Sequence, residues 1–211
     1  MSNRWRVAAI ASVAAAMVAF ASSKKLRTAA RKGAEIIAGR LQEQGARATA
    51  LWIRDHGLRL VQGMSPVDTS LVAPGLYVGG QQYRHGLARM AALGIGATLS
   101  LREKTDDTAR DVALERHLWL PAMDDTPPTL EQLTQATEFI RQIINEGTGV
   151  YVHCMAGVGR APTTAAAYLV STGLTPAEAW ALIRRARPFI RPKPIQFEQV
   201  DRFHAASKQQ S

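Results

Sequence analysis

The chain has 211 residues and a net charge of +9. The excess lies at the front, since residues 1–65 carry 11 basic and 3 acidic side chains whereas the remainder carries 15 and 14. This even balance, together with the lack of a basic motif interleaved with aromatic residues, excludes nucleic acid as a partner of the main domain. Cys154 is the single cysteine, so no disulfide forms within the chain, and the histidines show no metal-ligand spacing. We therefore expect no metal and no cofactor.

The chain begins with an apolar segment. Val7 to Ala21 is an alanine-rich run interrupted by Ser12, with basic residues on both sides. It is shorter than the roughly 20 residues that cross a bilayer, but with Ser22 and Ser23 it can span a thin membrane. We expect residues 1–23 to be an anchor, with the domain that follows in the cytoplasm by the positive-inside trend. The alternatives are a signal peptide cleaved near Ala21, which would export the protein, and a partly buried apolar helix.

Residues 24–65 form a second, basic segment. The pattern predicts helices broken near Gly45 and Gly57, with apolar residues such as Leu41 and Trp52 on one side amid many cations. A basic amphipathic stretch of this kind can lie on anionic lipid, so we expect contact with an anionic membrane surface. A helical stalk, or packing on the following domain, would give the same pattern. Residues 63–70 are predicted to be a linker.

Residues 66–211 form the main domain. Strand-like and helix-like segments alternate along it, which is typical of an α/β fold with helices around a central sheet. A capping box with proline in the first turn marks the start of one helix at Thr175. The predicted segments are Leu76–Val78, Gln81–Leu93, Ala97–Leu101, Ala109–Glu115, His117–Leu120, Leu130–Asn145, Val150–His153, Pro162–Thr172, Pro176–Ala186 and Ile195–Ala205.

The segment His153–Thr164, HCMAGVGRAPTT, has the residue types of a reactive anion-binding site. It predicts a buried strand, a tight loop and a helix, so that the loop amides and the positive end of the helix dipole surround an anion. Gly157 and Gly159 can take positive φ in such a loop, and Arg160 suits two phosphate oxygens at once. Cys154 lies where a neighbouring cation and a helix N-terminus favour the thiolate. The segment therefore predicts a phosphate cradle that contains a nucleophile.

The same residues resemble a known family. HCMAGVGR fits the HCxxGxxR signature of the cysteine-dependent protein tyrosine phosphatase superfamily and is similar to its dual-specificity branch. The resemblance covers about residues 70–204, and includes Ala73–Gly80, Ile95–Arg102 and Phe189–Pro192. It implies a mixed, mainly parallel central sheet. Rhodanese-type sulfurtransferases usually lack this combination, and the remaining alternative is an ordinary buried cysteine.

The resemblance also implies roles for individual residues. Cys154 would be the nucleophile and Arg160 the phosphate ligand, with His153 helping to hold the thiolate. Family members take a proton from an aspartate some thirty residues before the cysteine, where Asp124 and Asp125 stand. The family pattern places this aspartate three residues after a proline, here Pro121, which favours Asp124, with Asp125 as the alternative. Catalysis would pass through a phosphocysteine without a metal. The remaining substrate-binding positions of the loop are Met155, Ala156, Gly157, Val158 and Gly159.

One position departs from the family pattern. Ser or Thr commonly follows the arginine, where its hydroxyl eases breakdown of the phosphoenzyme, but here the residue is Ala161. Gly-Arg-Ala-Pro resembles a subset of the family that includes plant starch-glucan phosphatases. We therefore expect an active enzyme with slow turnover, and a phosphate-binding pseudophosphatase is the alternative.

The loop composition bears on the substrate. No residue between Cys154 and Arg160 is charged, which favours a phosphomonoester with modest surrounding charge, such as a phosphotyrosine, phosphoserine or phosphothreonine protein. The alternative is a lipid phosphatase, because Ile190–Pro192 and Gln196 resemble the corresponding stretch of the phosphatidylglycerophosphate enzyme. The expected partner is thus a phosphorylated protein or lipid, and we expect a monomer.

Overall fold

A long helix opens the described part of the chain. The computed structural model describes residues 23–208, and its first helix, α1, spans Lys24–Gln62. Gly45, at φ 79° and ψ 172°, interrupts the helical backbone, as predicted. The break predicted near Gly57 is wrong, because Gly57 lies inside the helix. A single interior glycine costs a helix only about 1 kcal/mol, which neighbouring turns and packing can offset.

The chain divides into two compact units, Met1–Thr49 and Ala50–Ser211. The end of α1 therefore belongs with the unit that contains Cys154, whereas the sequence predicted that this domain would start at residue 66. The predicted anchor or signal run, residues 7–21, lies outside the described residues. Within the described range 23–208, no helix is both long enough and apolar enough to cross a membrane.

The sheet of the second unit has five strands in the order β1-β2-β5-β3-β4. Strand β1 pairs antiparallel with β2, and the other neighbours pair parallel, so the expected mixed, mainly parallel sheet is confirmed. The strands are β1 Leu71–Ala73, β2 Leu76–Gly79, β3 Ile95–Ser100, β4 Arg116–Trp119 and β5 Gly149–His153.

Helices flank this sheet. Val150 and Val152 of β5 belong to the large apolar core that the four C-terminal helices complete, whereas Tyr151 packs in a smaller cluster with Met64 and Met90. This alternation is the two-residue period of a strand. The helices after α1 are α2 Val67–Ser70, α3 Leu87–Ala92, α4 Leu130–Asn145, α5 Arg160–Ser171, α6 Pro176–Ala186 and α7 Pro194–Lys208.

Three predicted segments differ from the structure. The linker predicted at residues 63–70 contains α2 and leads directly into β1. The helix predicted from Gln81 starts at Leu87, after a 3-10 turn, and Gln81 and Gln82 point into the protein as buried side chains. The segment predicted at Ala109–Glu115 is a single 3-10 turn, Thr108–Arg110. Elements this short show too few periods for a sequence pattern to define them.

The parallel strands determine where polar side chains meet. Strands β2, β3, β4 and β5 run in the same direction, so the loops that follow them converge at one edge of the sheet. In an open α/β sheet this carboxyl edge is where ligands bind. The loop after β5 begins with Cys154, and the loop after β4 carries Asp124.

Candidate active site

The loop between β5 and α5 is held in a tight curve. Cys154 is buried, and its Sγ accepts a hydrogen bond from the Gly157 amide at 3.3 Å. Gly157 has φ +67°, and a Cβ there would lie 2.3 Å from the backbone of Gly79. Both conditions require glycine, since side chains rarely adopt this φ and no atom fits so close to backbone.

The carbonyls of this loop bond to groups outside it. Met155 O accepts from the Gln81 amide at 3.1 Å, and Val158 O accepts from the Arg191 amide at 2.7 Å. Gly157 O accepts from Arg187 Nε at 3.2 Å. In a trans peptide the next N–H points away from the carbonyl, so outward carbonyls leave the amides facing the centre of the loop. The loop can therefore surround an anion with donors.

Arg160 is fixed in place by backbone oxygens. Its Nη1 donates to Leu101 O at 3.1 Å and to Ala122 O at 2.8 Å, and only 4% of its side chain is exposed. The Nε atom is buried and has no hydrogen-bond partner among the described residues. The guanidinium is thus oriented by the loops that follow β3 and β4, and its Nε donor remains unused.

The two candidate acids have different partners. Asp124 Oδ1 lies 2.7 Å from Arg160 Nη2, and the Asp124 side chain is 76% exposed. Asp125 adopts φ +59° and lies 3.7 Å from Lys193 Nζ. The structure therefore brings Asp124, and not Asp125, to the arginine of the loop.

His153 is part of a buried polar network. Its Nε2 lies 2.6 Å from Asp107 Oδ2, and its Nδ1 lies 3.3 Å from the Cys154 carbonyl oxygen. Gln81 and Gln82 donate to the same carboxylate at 2.9 and 2.6 Å. Burial would raise the pKa of Asp107, but the hydrogen bond and charge of His153 and the two amide donors outweigh it and lower the pKa to about 2. Asp107 therefore fixes the ring beside the cysteine.

This network was missed in the sequence. Asp107 stands in a polar stretch between two strands, and Gln81 and Gln82 stand where a helix was predicted. Gln81 and Gln82 are adjacent, but Asp107 lies 26 and 25 positions after them, and local sequence patterns give no sign that the three side chains would meet beside His153. The parallel sheet brings them together, since β2 and β3 end at the same edge and the loops that follow them begin there.

Two cations also line the mouth of the site. Arg102 and Lys104 border a cavity of about 150 Å³ together with Glu103, Asp124, Met155 and Arg160. Burial, and then the positive charges of Arg110 and Arg160, lower the pKa of Arg102. Both cations stand in the loop after β3, outside the uncharged segment between Cys154 and Arg160 from which the substrate was predicted. A larger cavity of about 550 Å³, near His117, contains none of the predicted site residues.

Gln196 joins two loops of the site. Its Nε2 donates to Thr126 O at 3.0 Å, and its Oε1 accepts from the Lys193 amide at 2.9 Å. A Cβ on Gly159 would lie 3.1 Å from the same Oε1. This buried side chain therefore packs the loop that carries Asp124 against residues 154–160, which we call the phosphate loop.

In the described part of the chain, no group of three or more His, Cys, Asp or Glu side chains could hold a metal ion. The residues that converge at this edge of the sheet are Cys154, Arg160 and Asp124, together with the loop amides.

A sequence model described as the dual specificity phosphatase catalytic domain matches residues 76–205. The chain belongs to the dual specificity phosphatase family. The recognition from HCxxGxxR is thereby confirmed.

Relatives within this family differ in what their names describe. The chain is 30% identical over 134 residues to the phosphatidylglycerophosphate phosphatase PTPMT2 of Arabidopsis thaliana, covering 61% of this chain and 59% of that protein. It is 32% identical over 126 residues to dual specificity protein phosphatase 5 of Rattus norvegicus, covering 57% and 32%. The matched region thus spans about three fifths of the length of the Arabidopsis thaliana protein and about one third of the length of the Rattus norvegicus protein.

Solved structures of the family have the same fold. A crystal structure of PTPMT1 in complex with PI(5)P superposes with a TM-score of 0.58 at 25% identity, covering 63% of this chain and 92% of that one. Human DUSP28 superposes with a TM-score of 0.59 at 22% identity, covering 66% and 98%. The dual specificity phosphatase fold, an α/β fold with helices around a mixed sheet, is therefore shown.

Proposed function

We propose that this protein is a cysteine-dependent phosphomonoesterase that works through a phosphocysteine. The observation that carries the proposal is the loop itself, in which Cys154 Sγ lies within a curve of inward-facing amides closed by Arg160. In the first step the thiolate attacks phosphorus and the bond to the substrate oxygen breaks, while Asp124 protonates that oxygen. In the second, Asp124 takes a proton from water, which attacks phosphorus and breaks the S–P bond to release phosphate.

The surrounding residues supply the electrostatic part of this mechanism. Charge develops on the equatorial oxygens of the phosphoryl group, where the loop amides and the Arg160 fork would hold it. Asp124 lies beside that fork, on the solvent side, where the leaving oxygen would depart. No residue of the described site offers Cys154 Sγ the hydroxyl that family members place after the arginine, since Ala161 stands there. Slow hydrolysis of the phosphocysteine therefore remains part of the proposal.

The cations at the mouth favour a substrate with a second anionic group. Arg102 and Lys104 border the same cavity as Arg160, so a headgroup phosphate or an acidic surface would meet two further positive charges. We therefore place a phosphatidylglycerophosphate-like lipid first among substrates, in line with the printed names of several relatives. This reverses the preference drawn from the uncharged loop.

A phosphorylated protein is the second candidate. Several relatives at similar identity are named dual specificity protein phosphatases, including one of Danio rerio that is 32% identical over 142 residues. Glu103 at the same mouth reduces the positive charge that a lipid phosphate would meet. A phosphotyrosine peptide is thus the comparison that any substrate assay requires.

The test is hydrolysis by the full chain, in EDTA, of phosphatidylglycerophosphate in mixed micelles, a phosphotyrosine peptide and p-nitrophenyl phosphate. We expect turnover of all three to vanish in Cys154→Ser. We expect Arg102→Ala and Lys104→Ala to lower kcat/KM for the lipid about tenfold or more, as loss of a charged hydrogen bond implies, with a smaller effect on p-nitrophenyl phosphate. Arg84→Ala is the control, because Arg84 pairs with exposed Asp111 instead.

Three results would contradict these proposals. Turnover that survives in Cys154→Ser would exclude the cysteine mechanism. A higher kcat/KM for the peptide than for the lipid, unaffected by Arg102→Ala, would replace the lipid with a protein substrate. Binding of phosphate analogues without turnover of any substrate would identify a pseudophosphatase.

We also propose that the protein is membrane associated, with residues 1–23 as the anchor and the catalytic unit on the cytoplasmic side. The support is the sequence pattern, an apolar run followed by a strongly basic segment. The expected result is that the full chain floats with phosphatidylglycerol vesicles and resists extraction by high salt. Release by salt alone would leave only the electrostatic contact of residues 24–65, and cleavage near Ala21 on expression would support export.

A further inference from the structure

The last turns of α1 touch the phosphate loop. Arg59 lies before the region that the family model matches, yet the residue is only 3% exposed. Its Nη1 donates to Met155 O at 3.3 Å and to Gln81 O at 2.9 Å. We propose that Arg59 is a positioning residue of the phosphate loop, an inference that rests on the proposed phosphatase function.

The peptide between Met155 and Ala156 connects Arg59 to the centre of the loop. Met155 O accepts hydrogen bonds from both Arg59 and the Gln81 amide, so this carbonyl is held away from the centre of the loop. The plane of a peptide is rigid, and fixing the carbonyl of Met155 fixes the N–H of Ala156 on the opposite side. That N–H is one of the donors that a phosphoryl oxygen would meet. Arg59 thus acts on the anion through a backbone plane, without touching it.

The residues around Arg59 leave space for its guanidinium and contact it. A Cβ on Gly80 would lie 2.8 Å from the guanidinium carbon of Arg59, so the glycine leaves room for it. Arg59 Nη2 contacts His56 Nδ1 at 2.8 Å, and the guanidinium carbon lies 6.0 Å from the centre of the Tyr83 ring. Burial, and then the charge of Arg59, lower the pKa of His56, which favours the neutral ring that accepts this hydrogen bond.

A second contact ties the same turns of α1 to the loop. Asp55 is buried and pairs with the buried Arg187, with 3.2 Å between Asp55 Oδ1 and Arg187 Nη1. The Nε atom of Arg187 is the donor that holds Gly157 O. Asp55 also accepts from Thr69 and Ser65, so it neutralises and orients an arginine that would otherwise be buried without a charge partner. Residues 50–62 therefore support the loop at two carbonyls.

The experiment compares full-chain Arg59→Met, Arg59→Lys and Arg54→Met with the wild type. Methionine keeps the unbranched stem and removes the donors, lysine keeps the charge without the fork, and Arg54 is an exposed cation of the same helix that pairs with Asp68. The readouts are tungstate affinity by calorimetry, kcat and KM for p-nitrophenyl phosphate, and the thermal unfolding midpoint.

We expect Arg59→Met to weaken tungstate binding and to lower kcat about 10- to 100-fold, because small misplacements of donors have effects of this size. Arg59→Lys should fold as the wild type does and recover part of both, and Arg54→Met should match the wild type. The inference is overturned if folded Arg59→Met and Arg59→Lys both keep wild-type tungstate affinity and kcat, or if losses appear only in a variant that has unfolded. A wild type that binds tungstate but hydrolyses nothing would refute the proposed function and leave the positioning role intact.

Discussion

Asp124 and Asp125 are neighbours in the chain with different environments. Asp124 contacts Arg160, whereas Asp125 adopts a left-handed backbone and lies near Lys193. We expect Asp124→Asn to reduce kcat for a phosphotyrosine peptide by about 100-fold or more, since general acid catalysis contributes about 10² to 10⁴. The reduction should be smaller for p-nitrophenyl phosphate, whose leaving group needs little protonation.

Asp125→Asn is the matched control for this substitution. Asparagine tolerates positive φ, so the loop should keep its conformation, and kcat should stay within about twofold of the wild type. Equal losses in the two variants would mean that the loop, and not the Asp124 carboxylate, limits the reaction. A large loss in Asp125→Asn alone would assign the acid to Asp125.

Ala161 gives a second prediction at the level of one residue. It is fully buried at the start of α5, next to the arginine of the loop. A hydroxyl there would donate to the cysteine sulfur as it leaves phosphorus, so we expect Ala161→Ser to raise kcat severalfold and to shrink the burst of product in the first turnover. The measurement is stopped-flow hydrolysis of p-nitrophenyl phosphate. Unchanged kcat and burst amplitude would show that phosphocysteine hydrolysis does not limit the rate.

At the level of elements, the turn from β5 into α5 depends on one glycine. Gly157 has φ +67° and no room for a Cβ against the Gly79 backbone, whereas Gly94 has φ +71° with no atom within 4 Å of a built Cβ. We expect Gly157→Ala to abolish measurable turnover, because the loop must open to relieve the contact. Gly94→Ala should cost about 1 to 2 kcal/mol of stability for the backbone alone and leave kcat unchanged.

Comparing these two glycines distinguishes the effect of backbone strain from that of a steric clash, because both have positive φ but only Gly157 has atoms close to a built Cβ. Kinetics with p-nitrophenyl phosphate and urea unfolding of both variants would make the comparison. Wild-type turnover in Gly157→Ala would mean that the loop can shift without moving its donors. An equal loss of activity in Gly94→Ala would assign the effect to general instability.

Elements with strong local signals were predicted well. The helices at Leu130–Asn145 and Pro176–Ala186 have the predicted bounds, since each begins with a capping box that satisfies its first amides. Strand β1 and helix α2 were missed, because three or four residues show no clear period. Their stability comes from pairing and packing with β2.

At the scale of the whole molecule, the ionisation of Asp107 makes the free energy of unfolding depend on pH. Its pKa is about 2 in the folded protein against a usual value of 3.8, so folding favours the ionised carboxylate. This contribution, about 2 kcal/mol, is present above pH 4 and is lost as the pH falls toward 2. We expect Asp107→Asn to lower the free energy of unfolding at pH 7 and to flatten its decline between pH 4 and 2.

The measurement is urea unfolding at a series of pH values. Asp111→Asn is the control, because Asp111 is exposed and outside the network, and it should leave the slope unchanged. An Asp107→Asn protein whose stability declines between pH 4 and 2 as steeply as that of the wild type would show that other carboxyl groups govern acid unfolding. Retained turnover at pH 7 in that variant would mean that His153 does not need Asp107 to be oriented.

The sequence by itself determined the family, the α/β class and the loop that carries Cys154 and Arg160. These features are local, since the strand, the two glycines, the arginine and the helix follow one another within about twenty residues. The preference for Asp124 over Asp125 came from the resemblance, through its place three residues after Pro121, because the residue types alone do not distinguish two adjacent aspartates.

Only the tertiary structure decided which distant residues complete the site. The parallel sheet brings Asp107, Gln81 and Arg102 to the edge where Cys154 lies, and packing of the end of α1 brings Arg59 to the back of the loop. A sequence pattern records neighbours along the chain, whereas these contacts join residues 26 to 96 positions apart. Their pairing depends on the order of the strands, which local periodicity does not encode.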